Sequence, residues 1–438
     1  MESLTVSPAA LLRGTLDVPG DKSISHRALL FGGIASGPTR ITRMLDAEDC
    51  RATQRALAAL GVPIRWTDDE VVVEGRGLHG LTAPAAPLDC GNSGTTMRLF
   101  LGLLAGQPFA ATVTGDPSLS KRPMARVTHV LRTMGARVEG HDDANFAPLT
   151  VRGGALHGIT YDMPVPSAQV KSAILLAGLY ADGHTVVKEP IPTRDHTERM
   201  LLAMGAGTAL SIIGDPSDGR TITLRGGQPL TGQTFCIPGD LSSAAFWLVA
   251  AALRPGSSVT VRDVGLNPTR NAALDVLRTM GASVTVREAP DDGWELRGDV
   301  TVEHAPLRGT TIASAVIPML IDELPILMIA AAVAEGRTVI EGARELRVKE
   351  TDRIHSMVTG LQALGARASV EGDTVVIEGP TRFRGGRITS YGDHRTAMAF
   401  AIAALAADGP VTIEDTACIR TSYPAFPETL RALAQQSS

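Results

Sequence analysis

Pro19-Gly20-Asp21-Lys22 and Pro238-Gly239-Asp240-Leu241 are one turn written twice, and the reading of the fold begins with them. Four further turns share the pattern: Cys90-Gly91-Asn92-Ser93, Val165-Pro166-Ser167-Ala168, Ile321-Asp322-Glu323-Leu324 and Gly392-Asp393-His394-Arg395. Each leads into a run of small and apolar residues at helical spacing, over 28–35, 96–104, 172–179, 244–253, 326–333 and 396–405. Five of the six copies continue into a second helix that stops at a glycine: Gly61, Gly135, Gly205, Gly281 and Gly365. Glycine there suits a left-handed cap. Alternating segments follow, such as 69–74 and 373–378, and read as half-buried strands. The openings recur about every 70–80 residues, too long for a solenoid unit, so each copy is a small α/β module.

The sixth copy stops after a helix at 427–433, and the segment 4–18 is expected to supply its missing strands. The termini then meet in one domain, and Pro19-Gly20 and Pro238-Gly239 become the two crossings between domains. The expected architecture is α/β, with two domains of three modules each on a two-stranded hinge. One domain is 20–236, and the other is 1–19 with 237–438. Helix N-termini from both halves would face one cleft, and such termini favour anions.

Composition narrows the function. The chain has 438 residues, 44% apolar and 20% charged, as expected of a globular protein with more than one domain. Aromatics are only 4% and the net charge is −5, which argues against base stacking and against a field that draws in nucleic acid or an anionic membrane. Cys50, Cys90, Cys236 and Cys418 lie far apart without metal-ligand spacing and read as reduced thiols of a cytoplasmic protein. No metal is expected. The stretch 312–334 comes closest to a membrane span, but Asp322 and Glu323 sit in its middle and Pro318 and Pro325 break it.

The openings carry the chemistry. Lys22 and Ser23 fall on the first turn of a helix, with Arg27 one turn on. Lysine, hydroxyl, guanidinium and free N–H groups together make a clamp for phosphate or carboxylate. The motif is not a P-loop, because Asp21 stands where the glycine before the lysine would be. Gly94 lets backbone N–H groups approach a ligand, with Arg98 one turn beyond. Lys121-Arg122 lie in a loop held by Pro123, and Ser167-Ala168-Gln169-Val170-Lys171 offer hydroxyl, amide and ammonium at a third helix start. Arg194-Asp195-His196-Thr197-Glu198 form a polar cluster. Asp322 and Glu323 interrupt an apolar stretch, where a carboxylate is costly unless it is paired or useful. In 347–353, Lys349, Glu350 and Arg353 share a stretch of alternating sign, which reads equally as an exposed salt-bridged helix. Arg395 heads the sixth module. Lys22, Arg27, Arg98, Lys121, Arg122, Lys171, Arg194, Lys349, Arg353 and Arg395 match in scale the roughly five to six negative charges of two phosphorylated, carboxylated substrates.

With these motifs in this order, the chain resembles the 5-enolpyruvylshikimate-3-phosphate synthase family over essentially its whole length. The residues that carry the resemblance are Gly20-Asp21-Lys22-Ser23 with Arg27, Gly91-Asn92-Ser93-Gly94-Thr95 with Arg98, Lys121-Arg122-Pro123, Ser167-Ala168-Gln169, the stretch 347–353 and Gly392-Asp393-His394-Arg395. The resemblance implies the enolpyruvyl transferase-like fold, two domains of three βαβαββ modules. It also implies transfer of the enolpyruvyl group of phosphoenolpyruvate to the 5-hydroxyl of shikimate 3-phosphate, in the shikimate pathway to chorismate and the aromatic amino acids. Carried over by position, Lys22, Ser23, Arg27, Ser167, Ala168, Gln169, Asp322 and Lys349 would hold shikimate 3-phosphate, with Arg194 at its phosphate. Lys22, Gly94, Arg122, Gln169, Arg353 and Arg395 would hold phosphoenolpyruvate. Asp322 would be the base, and Glu350 with Lys22 the proton donor. Domain closure would exclude water. A cytoplasmic monomer working without cofactor is the expectation.

The rival readings are a UDP-N-acetylglucosamine enolpyruvyl transferase and a non-catalytic anion-binding repeat protein. The first resembles a pattern with Lys-Asn at 22–23 and a cysteine within 115–124, where this chain has Ser23 and no cysteine. The second leaves Asp322 and Glu350 without a purpose. The chain departs from many family members at Thr421 in place of a lysine, at Leu99 in place of a proline and at Glu345 in place of an asparagine. Ser167-Ala168-Gln169-Val170-Lys171, the stretch 194–198 and Asn267-Pro268-Thr269-Arg270 resemble the glyphosate-tolerant class, whereas Gly94 stands where tolerant members often carry alanine. The expectation is intermediate tolerance. An inhibition constant for glyphosate equal to that of a sensitive enzyme would contradict it.

Overall fold

The computed structural model describes residues 2–214 and 219–435. The chain divides into two compact units, the first made of 20–237 with 293–295, and the second of 1–19, 238–292 and 296–438. Six helices open the modules. They are α1 (Lys22–Ile34), α2 (Gly94–Ala105) and α3 (Ala168–Gly178) in the first unit, and α4 (Leu241–Leu253), α5 (Leu324–Val333) and α6 (His394–Leu405) in the second. Their small, all-round apolar sequences follow from their place. Every residue of α4 is buried, as is every residue of α6, so no polar face is called for. Close approach is built in: a Cβ on Gly102 of α2 would lie 2.2 Å from the carbonyl oxygen of Ala173 in α3.

Five sheets have four strands each, and all five repeat one order. The opening strand of each module pairs in parallel with the strand that follows the module's opening helix. The fourth strand then pairs antiparallel with the second, and the third lies at the edge. In the second module this gives Leu88–Asp89, Ala110–Thr114, Phe146–Arg152 and Arg137–Gly140. The second helices end as the glycines predict: Gly61, Gly135, Gly205, Gly281 and Gly365 all have φ between +87° and +107°. At four of them the next N–H returns to a carbonyl five residues back, as in Val62 to Leu57 (3.1 Å) and Ala282 to Leu277 (2.9 Å), which satisfies orphan helix carbonyls.

The N-terminal segment differs from its expectation. Ser3–Val6 does join the sixth module, antiparallel to Val411–Glu414, in a sheet of three strands. Arg13–Asp17, however, pairs in parallel with Ser258–Gly265 and is the opening strand of the fourth module. In return, Thr234–Cys236 opens the first module by pairing in parallel with Ser36–Thr42. Each of these strands precedes one opening helix in sequence and serves the module of another. Gly20 is required at this point, since a Cβ there would fall 2.0 Å from the carbonyl oxygen of Arg43.

The apolar stretch around Asp322 folds as two short helical pieces, Ser314–Leu320 and Leu324–Val333, bent by 117°. Among the described residues no single helix is long and apolar enough to cross a membrane.

Candidate functional site

In the first unit, Asp21 caps α1 by accepting from the Ile24 N–H (2.9 Å), which leaves Lys22 and Ser23 on the first turn. Lys22 Nζ lies 3.2 Å from Asp49 Oδ2, both groups being mostly buried. Ser93 and Ser167 cap α2 and α3 with their hydroxyls. Gln169 joins two openings: its Nε2 donates to Thr95 Oγ1 (2.9 Å) and its Oε1 accepts from Arg98 Nη1 (2.7 Å). Arg122 is anchored to the same loop, donating to the Asn92 carbonyl (3.2 Å) and side-chain oxygen (2.7 Å). Gly94 lies under both guanidinium groups. A Cβ there would come within 2.7 Å of Arg98 Nη1 and 3.5 Å of Arg122 Nη1. Arg194 is half-buried and donates to Ser23 Oγ (3.4 Å). The structure thus brings together Lys22 and Ser23 with Arg194, and Gly94 and Gln169 with Arg98 and Arg122.

In the first unit, Arg27 and Lys171 turn inward. Arg27 is 2% exposed and donates to Thr197 Oγ1 (2.8 Å), the Ser23 carbonyl (2.9 Å) and Ser172 Oγ (2.6 Å), so it ties α1 to α3 and to the helix His196–Ala203. Lys171 is not a cleft cation. It is fully buried, 2.8 Å from Glu189 and 2.6 Å from Glu198. Its place three residues past the start of α3 turns it into the core while Ser167 to Gln169 stay half-buried. Lys121 is exposed.

Asp49, Glu189 and Glu198 were missed by the sequence reading. Asp49 and Glu189 sit outside the openings, and the one signal for Glu198 was its place in the polar cluster 194–198. His26 lies behind Lys22. Its Nδ1 shares a 2.8 Å bond with Thr53 Oγ1, which bonds Thr96 Oγ1 (2.7 Å), which in turn donates to the cap hydroxyl of Ser93 (2.7 Å). This chain of hydroxyls locks α1 to the start of α2.

In the second unit the centre is Arg353, 1% exposed at the start of the helix Arg353–Ala363. Its Nε donates to Asp393 (2.8 Å), its Nη2 to Glu350 (2.5 Å) and its Nη1 to Asp322 (3.4 Å). Three carboxylates outweigh the cost of burying the cation and hold its pKa well above the ordinary arginine value. Asp322 and Glu350 are partly exposed, at 22% and 20% of their side chains, so two candidate acid–base groups sit on adjacent nitrogens of one guanidinium. Asp393 also caps α6, accepting from the N–H groups of Arg395 (2.8 Å) and Thr396 (3.1 Å). The Arg395 side chain is 3% exposed, and its Nε and Nη1 have no hydrogen-bond partner in the protein. Lys349 is half-buried at the end of the turn Ala343–Val348.

Glu323 does not cap α5. It is fully buried and accepts from Ser242, whose hydroxyl also accepts from Arg270 (2.7 Å). Arg347 pairs with Asp352 (3.0 Å), so that half of the alternating stretch is the ordinary salt bridge. Thr421, where the resemblance leads one to expect a lysine, is largely buried with its hydroxyl on the Cys418 carbonyl (2.7 Å). Leu99 belongs to the core of the first unit. Burial pushes the Cys90 and Cys418 thiols up to about 12 and raises Cys50 as well, so these three are protonated at neutral pH. Among the described residues no cluster of His, Cys, Asp or Glu could hold a metal ion.

Comparison with known proteins bears on the chain as a whole. The family model described as EPSP synthase (3-phosphoshikimate 1-carboxyvinyltransferase) matches residues 6–430. The chain is 52% identical over 425 residues to a 3-phosphoshikimate 1-carboxyvinyltransferase of Alkalilimnicola ehrlichii, covering 97% of this chain and 94% of that one. It is 50% identical over 438 residues to that of Acidithiobacillus ferrooxidans, covering 100% of this chain and 98% of that one. A solved structure of EPSP synthase from Acinetobacter baumannii superposes with a TM-score of 0.86 at 44% identity, over 99% of this chain and 98% of that one. The chain belongs to the EPSP synthase family and has its fold.

His26 gives a pH test of this site. Burial, with the charges of Lys22 and Arg27, lowers its pKa to about 3 against Asp21's smaller opposing effect. The unfolded chain therefore binds this proton more readily than the folded one, so its contribution to stability is complete above about pH 6.5 and is lost as pH falls toward 3, at about 1.4 kcal/mol per unit. Urea unfolding at pH 7 and pH 5 is expected to show that His26→Gln removes about 2 kcal/mol of the acid-induced loss. Equal losses in both proteins would contradict the burial of a neutral imidazole beside Lys22.

Proposed function

We propose that the protein transfers the enolpyruvyl group of phosphoenolpyruvate to the 5-hydroxyl of shikimate 3-phosphate, releasing phosphate and forming 5-enolpyruvylshikimate 3-phosphate. The observation that carries this reading is the pair of carboxylates, Asp322 and Glu350, on adjacent nitrogens of buried Arg353. Addition followed by elimination needs a base and an acid that exchange roles, and two carboxylates held by one cation supply both.

In this reading Asp322 takes the proton of the 5-hydroxyl as its oxygen attacks C2 of phosphoenolpyruvate. Glu350, assisted by Lys22, delivers a proton to the methylene carbon, giving a tetrahedral ketal phosphate. Elimination then removes a proton from the new methyl group and expels phosphate, which restores the double bond. Lys22, Ser23, Arg27, Ser167, Ala168, Gln169, Lys349 and Asp322 hold shikimate 3-phosphate, with Arg194 at its phosphate. Lys22, Gly94, Arg122, Gln169, Arg353 and Arg395 hold phosphoenolpyruvate. The buried guanidinium of Arg395, with two nitrogens lacking protein partners, supports an anionic ligand at the head of α6. Arg27 fits its role through the hydroxyls and carbonyl it orders around Ser23, since its own guanidinium is already bonded. The four free cysteines support a cytoplasmic setting, where the protein works as a monomer without metal or cofactor.

Phosphate release is expected from shikimate 3-phosphate plus phosphoenolpyruvate and not when UDP-N-acetylglucosamine replaces the first. No turnover with shikimate 3-phosphate would overturn the reading. Asp322→Ala is expected to lower kcat by about 10²–10⁴-fold while shikimate 3-phosphate affinity changes far less. A fully active variant would remove Asp322 from the mechanism.

A further inference from the structure

We propose that the buried triad Lys171–Glu189–Glu198 is a positioning device that holds Arg194 where the phosphate of shikimate 3-phosphate binds. The inference rests on the substrate reading above.

The triad is costly. Lys171, Glu189 and Glu198 are each no more than 1% exposed, and one ammonium faces two carboxylates. Burial alone would lower the lysine pKa, but Glu198 and Glu189 outweigh it and raise it, whereas burial pushes the Glu198 carboxyl up. Apolar residues of similar volume would weld α3, the strand His184–Glu189 and the helix His196–Ala203 together at no greater cost. A stability role therefore does not explain three ionisable groups here.

The bonds of the triad converge instead on Thr193. Its N–H donates to Glu189 Oε1 (3.2 Å), its hydroxyl donates to the same oxygen, and its carbonyl accepts from Lys171 Nζ (3.5 Å). The donors and acceptor of this one residue are all held by the triad. On the other side of Arg194, Asp195 is fixed by Arg199 (2.8 Å) and Arg220 (3.1 Å). Arg194 is thus clamped at both neighbours, and its side chain reaches Ser23 Oγ at the start of α1. A cation on an irregular turn would otherwise lose affinity to the entropy of ordering it when the phosphate binds. The lysine also lies two residues past Gln169 on α3, so one helix start carries substrate contacts while its next turn fixes the loop bearing a further one.

Glu189→Leu tests this, because it frees Thr193 yet leaves a neutral Lys171–Glu198 pair. Steady-state kinetics are measured in the wild-type and Arg194→Ala backgrounds. Glu189→Leu is expected to raise the KM for shikimate 3-phosphate about tenfold, with kcat and the KM for phosphoenolpyruvate within about twofold. In the Arg194→Ala background the same change is expected to add nothing, since the triad acts through that arginine. An unchanged KM, or an equal rise in both backgrounds, would overturn the proposal. Should the leucine variant not fold, isosteric Glu189→Gln carries the same four-way comparison, with an expected rise of about threefold and the same contrary outcomes. Failure of the wild-type protein to use shikimate 3-phosphate would instead overturn the substrate reading.

Discussion

An apolar helix whose first turn is buried must find acceptors for its leading N–H groups, and this constraint organises both units. Asp21, Ser93, Ser167, Asp240 and Asp393 meet it at five of the six module openings with their own side chains. A carboxylate has two oxygens, and the second is free for other work. Asp393 shows the consequence: Oδ1 takes the N–H groups of α6 and Oδ2 takes Arg353 Nε. Arg353 in turn carries Glu350 and Asp322. The group that starts the helix is thus the root of the proposed acid–base pair, so that in this reading fold and chemistry share one side chain.

The two units use the repeat differently. In the first, the openings present cations and hydroxyls, and Lys22 is paired with Asp49. In the second, the equivalent opening at Asp240 is closed off by Arg270, Ser242 and Glu323, all buried. Its partly exposed carboxylates are instead Asp322 and Glu350, on Arg353. Asp322 stands beside Glu323, with one carboxylate left partly exposed and the next buried as a structural partner.

Much of this was legible in the sequence, because capping and glycine termination are local. The openings, the apolar helices and the left-handed glycines depend on residues within one turn of each other. The exchange of Arg13–Asp17 and Thr234–Cys236 between modules was not legible, since it depends on pairings more than 190 residues apart. Lys171 deceived the reading for a related reason. A lysine in a polar motif looks the same whether it faces solvent or core, and its partners Glu189 and Glu198 lie 18 and 27 positions further on. Asp49 carried no signal either, being one acid among several around the first turn of the helix Glu48–Ala59. Family resemblance names the residues proposed to touch substrate, but it is silent on the buried groups behind them.

The most direct test of the shared-carboxylate account is the kinetic and thermal behaviour of Asp393→Asn. Asparagine caps a helix as well as aspartate does, but it leaves buried Arg353 one carboxylate short, so the melting temperature is expected to fall by roughly 3–10 °C while the protein stays folded at about 25 °C. Loss of the charge that fixes Arg353 is expected to lower kcat by at least about tenfold. Wild-type turnover in a folded variant, or a loss of activity no larger than the loss of folded protein, would contradict the account.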